Sequence, residues 1–149
     1  MDTVRELFRE YAQVVGSPIC FQRFAREMAE LPGQYSPLLL ALVSEQPAGC
    51  AALRKIGDGI GEMKRLYIRP AFQGKGIGRL LAEQIIAEAK ASGFHLLRLD
   101  TLPSMESAIH LYRKLGFQEI PPYGDNPPEA ICFELKLRSQ EISPAQSST

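Results

Sequence analysis

The residues best placed to do chemistry lie in Gln73-Gly74-Lys75-Gly76-Ile77-Gly78-Arg79. Three glycines alternate with other residues just where a strongly helical run begins. Glycine lets the backbone approach a ligand closely and adopt φ values that other residues avoid. The first turn of a helix has N–H groups without intrahelical partners and carries the positive end of the dipole. Together these make a cradle for a phosphorylated ligand, and Lys75 and Arg79 add charge of the matching sign. Two well-known phosphate motifs fail here. A Walker loop needs Gly-Lys-Ser/Thr after four intervening residues, but Lys75 precedes Gly76 and no hydroxyl residue follows. A dinucleotide fingerprint needs G-x-G-x-x-G, and the third glycine position falls on Arg79 or Leu81. The pattern that remains is Gln-x-x-Gly-x-Gly, from Gln73 through Gly76 to Gly78.

The elements that must hold this loop can be read from periodicity. Thr3-Val4-Arg5-Glu6 reads as a capping box. Val4, Leu7, Phe8, Tyr11, Val14 and Val15 then follow a helical stripe, which Gly16 and Pro18 end. Phe21, Phe24, Ala25, Met28 and Leu31 form a second stripe, closed by Pro32-Gly33. Leu38 to Val43 reads as a strand, Gln46-Pro47-Ala48-Gly49 as a turn and Cys50 to Ile56 as a second strand. Gly57-Asp58-Gly59 turns into Ile60–Ile68, giving an antiparallel meander. Pro70 stops that strand, and Gly76 to Ser92 forms the helix behind the glycine loop. Leu96 to Thr101 alternates and follows a helix, so it runs parallel to the strand ending at Ile68. Ser104 caps a helix carrying Ala108, Leu111, Tyr112 and Leu115, ended by Gly116. Phe117 to Ile120 begins another strand. A proline-rich loop, Pro121 to Pro128, leads to the last strand, with Ile131, Phe133, Leu135 and Leu137 alternating.

The glycine pattern resembles the pyrophosphate loop of the GNAT family of N-acetyltransferases. Glu62-Met63-Lys64-Arg65-Leu66-Tyr67-Ile68-Arg69-Pro70 is similar to that family's central strand and its exit. Ala108-Ile109-His110-Leu111-Tyr112-Arg113-Lys114-Leu115-Gly116-Phe117 is similar to its later helix and turn. All three segments come in the family's order and spacing, and the similarity covers roughly residues 38 to 137. The resemblance implies an α/β (α+β) fold, a mixed and mostly antiparallel central sheet flanked by helices. The chain is expected to start at a helix, so the family's first strand would be absent or supplied differently. The resemblance implies one acyltransferase domain over residues 1–138, and residues 139–149, polar and without a stripe, read as a disordered tail.

The same resemblance implies acetyl-CoA as co-substrate, no metal, and direct transfer of the acetyl group to the primary amine of a small-molecule or peptide acceptor. It assigns the phosphates to Gln73, Gly74, Lys75, Gly76, Ile77, Gly78 and Arg79, with Lys114 able to reach the outer phosphate. The backbone of Leu66, Tyr67 and Ile68 would lie along the pantetheine arm. Tyr112 stands where the family's tyrosine donates to the coenzyme sulfur; its place on an apolar stripe also suits plain packing. Glu62 stands where several members have a base for the amine; the plain alternative is an exposed strand glutamate. A bulge in that strand would decide where Glu62 points. Met105 replaces the asparagine that the family often has three residues before the position of Ala108, so that contact to the arm is lost or apolar. Tyr123 and Asp125, in Tyr123-Gly124-Asp125-Asn126-Pro127, could contact the acceptor amine; proline and glycine fix such a turn in any case.

The chain has 149 residues, 17 of them basic and 17 acidic, for no net charge. That length suits one domain with a substantial core, and the balance gives no global drive toward nucleic acid or an anionic membrane. Lys64, Arg65, Arg69, Lys75 and Arg79 nevertheless cluster in a stretch whose only acid is Glu62, which favours a polyanionic ligand. No apolar run approaches the ~20 residues that cross a bilayer, and the N-terminus lacks the features of a signal peptide. Cys20, Cys50 and Cys132 are odd in number and scattered, which suits a reducing cytoplasm. They lack an adjoining base, so no covalent acyl carrier is expected, and His95 and His110 lack metal-ligand spacing. An open sheet edge would allow a homodimer. Three functions are thus in competition: an acetyltransferase, a non-catalytic acyl-CoA-binding sensor or interaction module, and, least supported, a nucleotide-binding protein.

Overall fold

The computed structural model describes residues 1–15, 21–124 and 126–137. The elements are α1 (Asp2–Val15), α2 (Phe21–Glu30), β1 (Tyr35–Val43), β2 (Gln46–Gly57), β3 (Ile60–Ile68), a 3-10 turn (Pro70–Phe72), α3 (Ile77–Ala91), β4 (Leu96–Thr101), α4 (Glu106–Lys114), β5 (Gln118–Ile120) and β6 (Ile131–Lys136). The fold is the expected mixed one, with six strands in the order β1-β2-β3-β4-β6-β5. β3 and β4 are parallel, while β1–β2, β4–β6 and β5–β6 are antiparallel. The chain divides into two compact units, Met1–Arg54 with Met63–Ile85, and Lys55–Glu62 with Ile86–Thr149. The tail expected from 139, the helix end at Gly16 and Pro18, and Cys20 lie outside the described residues.

In the first unit, the stripe on α1 buries Val4, Leu7 and Phe8 against Met28, Leu31, Tyr35, Cys50, Ala52 and Tyr67. Each such apolar side chain contributes roughly 1.5–3 kcal/mol when fully buried. One strained residue sits beside this core. Arg65, inside β3, has φ 59, a left-handed value uncommon for any residue but glycine and rarer still within a strand. Its guanidinium is fixed by two bonds to the Glu27 carboxylate, at 2.7 and 3.1 Å, and only 13% of the side chain is exposed. Tyr35 donates to the same carboxylate at 2.8 Å, the guanidinium lies 5.6 Å from the centre of the Phe8 ring, and the Arg65 carbonyl accepts from Cys50 Sγ at 3.3 Å. Arg69 is held in a similar way, by both oxygens of Glu10 at 3.1 and 2.9 Å and by Glu6 at 3.3 Å.

These pairs correct the reading of the basic cluster. Arg65 and Arg69 are already neutralised by acids of α1 and α2, and Arg79 pairs with Glu83 one turn along its own helix at 3.0 Å. The two caps are also corrected. α1 starts at Asp2, and Arg5 N–H already donates to the Met1 carbonyl, so Thr3 lies inside the first turn rather than before it. α4 starts at Glu106 with Met105 in the cap position and no side-chain cap bond, so Ser104 does not cap it. The turn placed at Gln46–Gly49 is really at Ser44 and Glu45, with φ 50 and 68, which lets β2 start at Gln46. Gly49 serves packing instead: a Cβ there would stand 2.5 Å from the Tyr67 carbonyl oxygen.

Removing the Glu27 charge would leave a mostly buried guanidinium without its counter-ion. Glu27→Gln should therefore lower the unfolding free energy by roughly 2–3 kcal/mol, seen as a lower urea midpoint at unchanged slope. Glu83→Gln removes an exposed helical pair and should change stability by less than about 0.5 kcal/mol.

Candidate functional site

The glycine loop belongs to the first unit. Pro70 ends β3, and the 3-10 turn is closed by Phe72 N–H on the Arg69 carbonyl at 2.8 Å. The Gln73 side-chain amide reaches back to the Ile68 carbonyl at 3.1 Å, so the glutamine of the motif braces the strand end against the loop. Gly74 and Gly76 then take φ 79 and 80. A Cβ at either would meet no atom within 4 Å. The glycines are therefore needed for backbone conformation and leave open space beside the chain, with protein packing making no demand there. α3 follows at once, and its first-turn N–H groups, at Ile77, Gly78 and Arg79, have no intrahelical acceptors. Lys75 and Arg79 are exposed, Leu66 and Ile68 are half-buried, and Tyr67 is buried.

The second unit holds the acid–base candidates. Strand register puts Glu62 beside Arg98 and Arg98 beside Glu134. Paired residues share a sheet face, so these three form one row. Arg98 bonds Glu134 at 2.9 Å. Glu62 is only 2% exposed, which corrects the alternative of an exposed strand glutamate. Its Oε2 accepts the Tyr123 hydroxyl at 2.6 Å, so two residues singled out from the sequence meet. Burial first, and then the neighbouring Glu62 charge, push the Tyr123 phenol well above its ordinary value. Asn126 accepts the Tyr123 N–H through Oδ1 at 2.7 Å and donates through Nδ2 to Asp100 at 2.8 Å. The Arg98 guanidinium lies 5.2 Å from the centre of the Tyr123 ring. Asp125 lies outside the described residues.

Tyr112 stands on the other face of these strands. Its buried ring packs at 5.8 Å from Phe117 and 6.1 Å from Phe133, and Phe133 pairs with Leu99, one residue out of phase with the Arg98 row. Thr101 lies on the same face as Leu99 at the end of β4. It is 5% exposed, and its Oγ1 has no hydrogen-bond partner among the described residues. Met105 and Ala108 are half-buried at the start of α4, and Lys114 is exposed in its last turn. Four residues of this neighbourhood were not singled out from the sequence: Arg98, Asp100, Thr101 and Asn126. Only Asn126 gave a signal, as the amide in a proline-rich turn.

Known proteins share the fold. The family model for "Acetyltransferase (GNAT) family" matches residues 1–117. The chain belongs to the GNAT family. An uncharacterised N-acetyltransferase of Schizosaccharomyces pombe is 35% identical over 144 residues, covering 92% of this chain and 88% of its own. An acetyltransferase from Streptococcus agalactiae shares the fold at TM-score 0.77 and 20% identity, over 91% of this chain and 90% of that one. So does the PaiA N-acetyltransferase of Thermoplasma acidophilum in complex with coenzyme A, at TM-score 0.67 and 20% identity, over 91% of each chain. This GNAT chain is therefore an acyltransferase of the N-acetyltransferase type.

Among its described residues, no group of histidine, cysteine and acidic side chains could hold a metal ion, and no helix is long and apolar enough to cross a membrane. Cys50 and Cys132 are buried thiols outside any disulfide among the described residues, and burial pushes the Cys50 thiol up to about 12. The thiolate is the reactive form. In a Cys20→Ser background, a thiol reagent should therefore label the folded protein no faster than the protein unfolds. Rapid labelling at neutral pH would show an accessible, activated thiol.

Proposed function

We propose that this GNAT chain moves the acetyl group of acetyl-CoA to a primary amine, by direct attack within one complex. The glycine turn carries the reading. Two backbone positions in left-handed conformation, open beside the chain and ahead of a helix N-terminus, suit a diphosphate that a side chain would block. The buried Thr101 hydroxyl, which has no partner among the described residues, is a second fit, since a ligand group could satisfy it. Acetyl-CoA supplies the activated acyl group as a thioester. The N–H groups of the loop and of the first α3 turn bind its phosphates, with charge from Lys75, Arg79 and Lys114. The backbone from Leu66 through Ile68 orients the arm, and Met105 and Ala108 give it apolar contact. Glu62 takes the proton of the attacking amine, directly or through water, and the Tyr112 hydroxyl donates to the departing sulfur. The acceptor is a small molecule or peptide, and Tyr123 and Asp125 are the residues assigned to its recognition. The chain works in the cytoplasm, and a second copy would join at edge strand β1, where Leu40 and Leu42 are exposed.

One observation favours acyl-CoA binding without turnover. The Tyr123 hydroxyl occupies one oxygen of the Glu62 carboxylate, which leaves fewer lone pairs for an incoming amine. A broad amine panel with acetyl-CoA, followed by release of free thiol, separates the two readings. The expected result is turnover that Tyr112→Phe lowers about 100-fold in kcat at little change in KM for acetyl-CoA. Gly76→Ala should weaken coenzyme A binding at least about tenfold, while costing the fold only about 1–2 kcal/mol for the left-handed backbone. Tight coenzyme A binding with no thiol release from any amine would leave the sensor reading in its place.

A further inference from the structure

A hydroxyl on a buried carboxylate raises the question of what keeps it there. Tyr123 lies in the connection between β5 and β6, outside both strands. Its ring rests under the Arg98 guanidinium, and Arg98 is in turn fixed by Glu134. Those contacts hold the ring. The backbone is held by one side chain only among the described bonds of this segment: Asn126 accepts the Tyr123 N–H at 2.7 Å and hands its other end to Asp100 at 2.8 Å. Both ends of that amide have work, one as acceptor and one as donor. Aspartate there would set two carboxylates against each other, serine would offer one atom where two are used, and glutamine would be a methylene too long.

We propose that Asn126 is a positioning residue, whose carboxamide ties Tyr123 to Asp100 and so keeps the Tyr123 hydroxyl on Glu62. The idea rests on the reading of Glu62 as the base. A donor on a carboxylate favours its ionised form, and a base must be ionised to work. Tyr123, Arg98, Asp100, Glu134 and Cys132 are the titratable and charged groups around this carboxylate and its phenol. With the phenol removed, Glu62 stays buried but loses a donor that holds its carboxylate in place, and amine attack must slow.

The test uses two readouts on the full chain. The first needs no turnover: the Tyr123 phenol is titrated by magnetic resonance of isotope-labelled tyrosine. In Asn126→Ala and in Asp100→Ala, which both remove the tie, Tyr123 should ionise below its wild-type position, toward an ordinary phenol. The paired exchange Asn126→Asp with Asp100→Asn keeps an acceptor for the Tyr123 N–H and reverses the second bond, so it should return the phenol toward the wild-type position. The second readout is the split between kcat and KM. Asn126→Ala and Tyr123→Phe should both lower kcat about tenfold at little change in KM for acetyl-CoA, while the paired exchange restores it. A phenol that titrates as in the wild type in both single variants, or one that the paired exchange fails to recover, overturns the proposal. A phenol that moves while kcat stays still supports the tie and removes Glu62 as the base, so the two ideas fail separately.

Discussion

One guanidinium in the middle of a strand constrains the first unit. Arg65 adopts a left-handed backbone conformation that costs about 1–2 kcal/mol for a residue with a side chain. That conformation persists because the side chain is fixed from several directions, by Glu27 of α2, the Phe8 ring of α1 and, through Glu27, Tyr35 of β1. Its carbonyl meanwhile takes the Cys50 thiol of β2. Such a site over-determines a strained backbone. Along β3, Gly61, Glu62 and Met63 are buried in succession, whereas Leu66 and Ile68 flank a buried Tyr67.

The second unit faces a different requirement. A carboxylate at 2% exposure needs hydrogen bonds, because an unpaired buried charge is expensive. Tyr123 supplies one of them from a connection that follows β5, far from Glu62 in sequence. The row Glu62, Arg98, Glu134 then alternates in sign across neighbouring strands, which cross-strand pairing favours. Electrostatics and loop geometry are solved together here. The proline-rich segment is short of backbone donors, and the side chain of Asn126 replaces the ladder that a strand would have provided.

Much of the architecture was legible in the sequence, and the reasons differ by element. The α1 and α4 stripes and the alternation of Leu96–Thr101 are local patterns that point to one element type each. The β1–β2 turn was not legible, because Ser44 and Glu45 lack the usual turn chemistry while Pro47 and Gly49 display it inside a strand. The glycine cradle could be found because its conformation depends on residue type alone. The fate of the basic cluster could not, since the acids that neutralise Arg65 and Arg69 lie 38 and 59 positions earlier. The burial of Glu62 was hidden for the same reason: its partner comes 61 positions later. Asn126 and Asp100 look like ordinary turn and strand-end residues until the fold brings them within bonding distance.

The open space beside Gly74 and Gly76 has an evolutionary side. At Gly49 any side chain would strike the Tyr67 backbone, so drift there is blocked by packing. At the two loop glycines nothing in the protein stands in the way, and the barrier to change lies in backbone conformation and in whatever the loop embraces. Selection on the ligand can therefore act on these positions nearly independently of selection on the core, and a descendant that abandoned its ligand could lose the loop glycines first while keeping the rest of its scaffold.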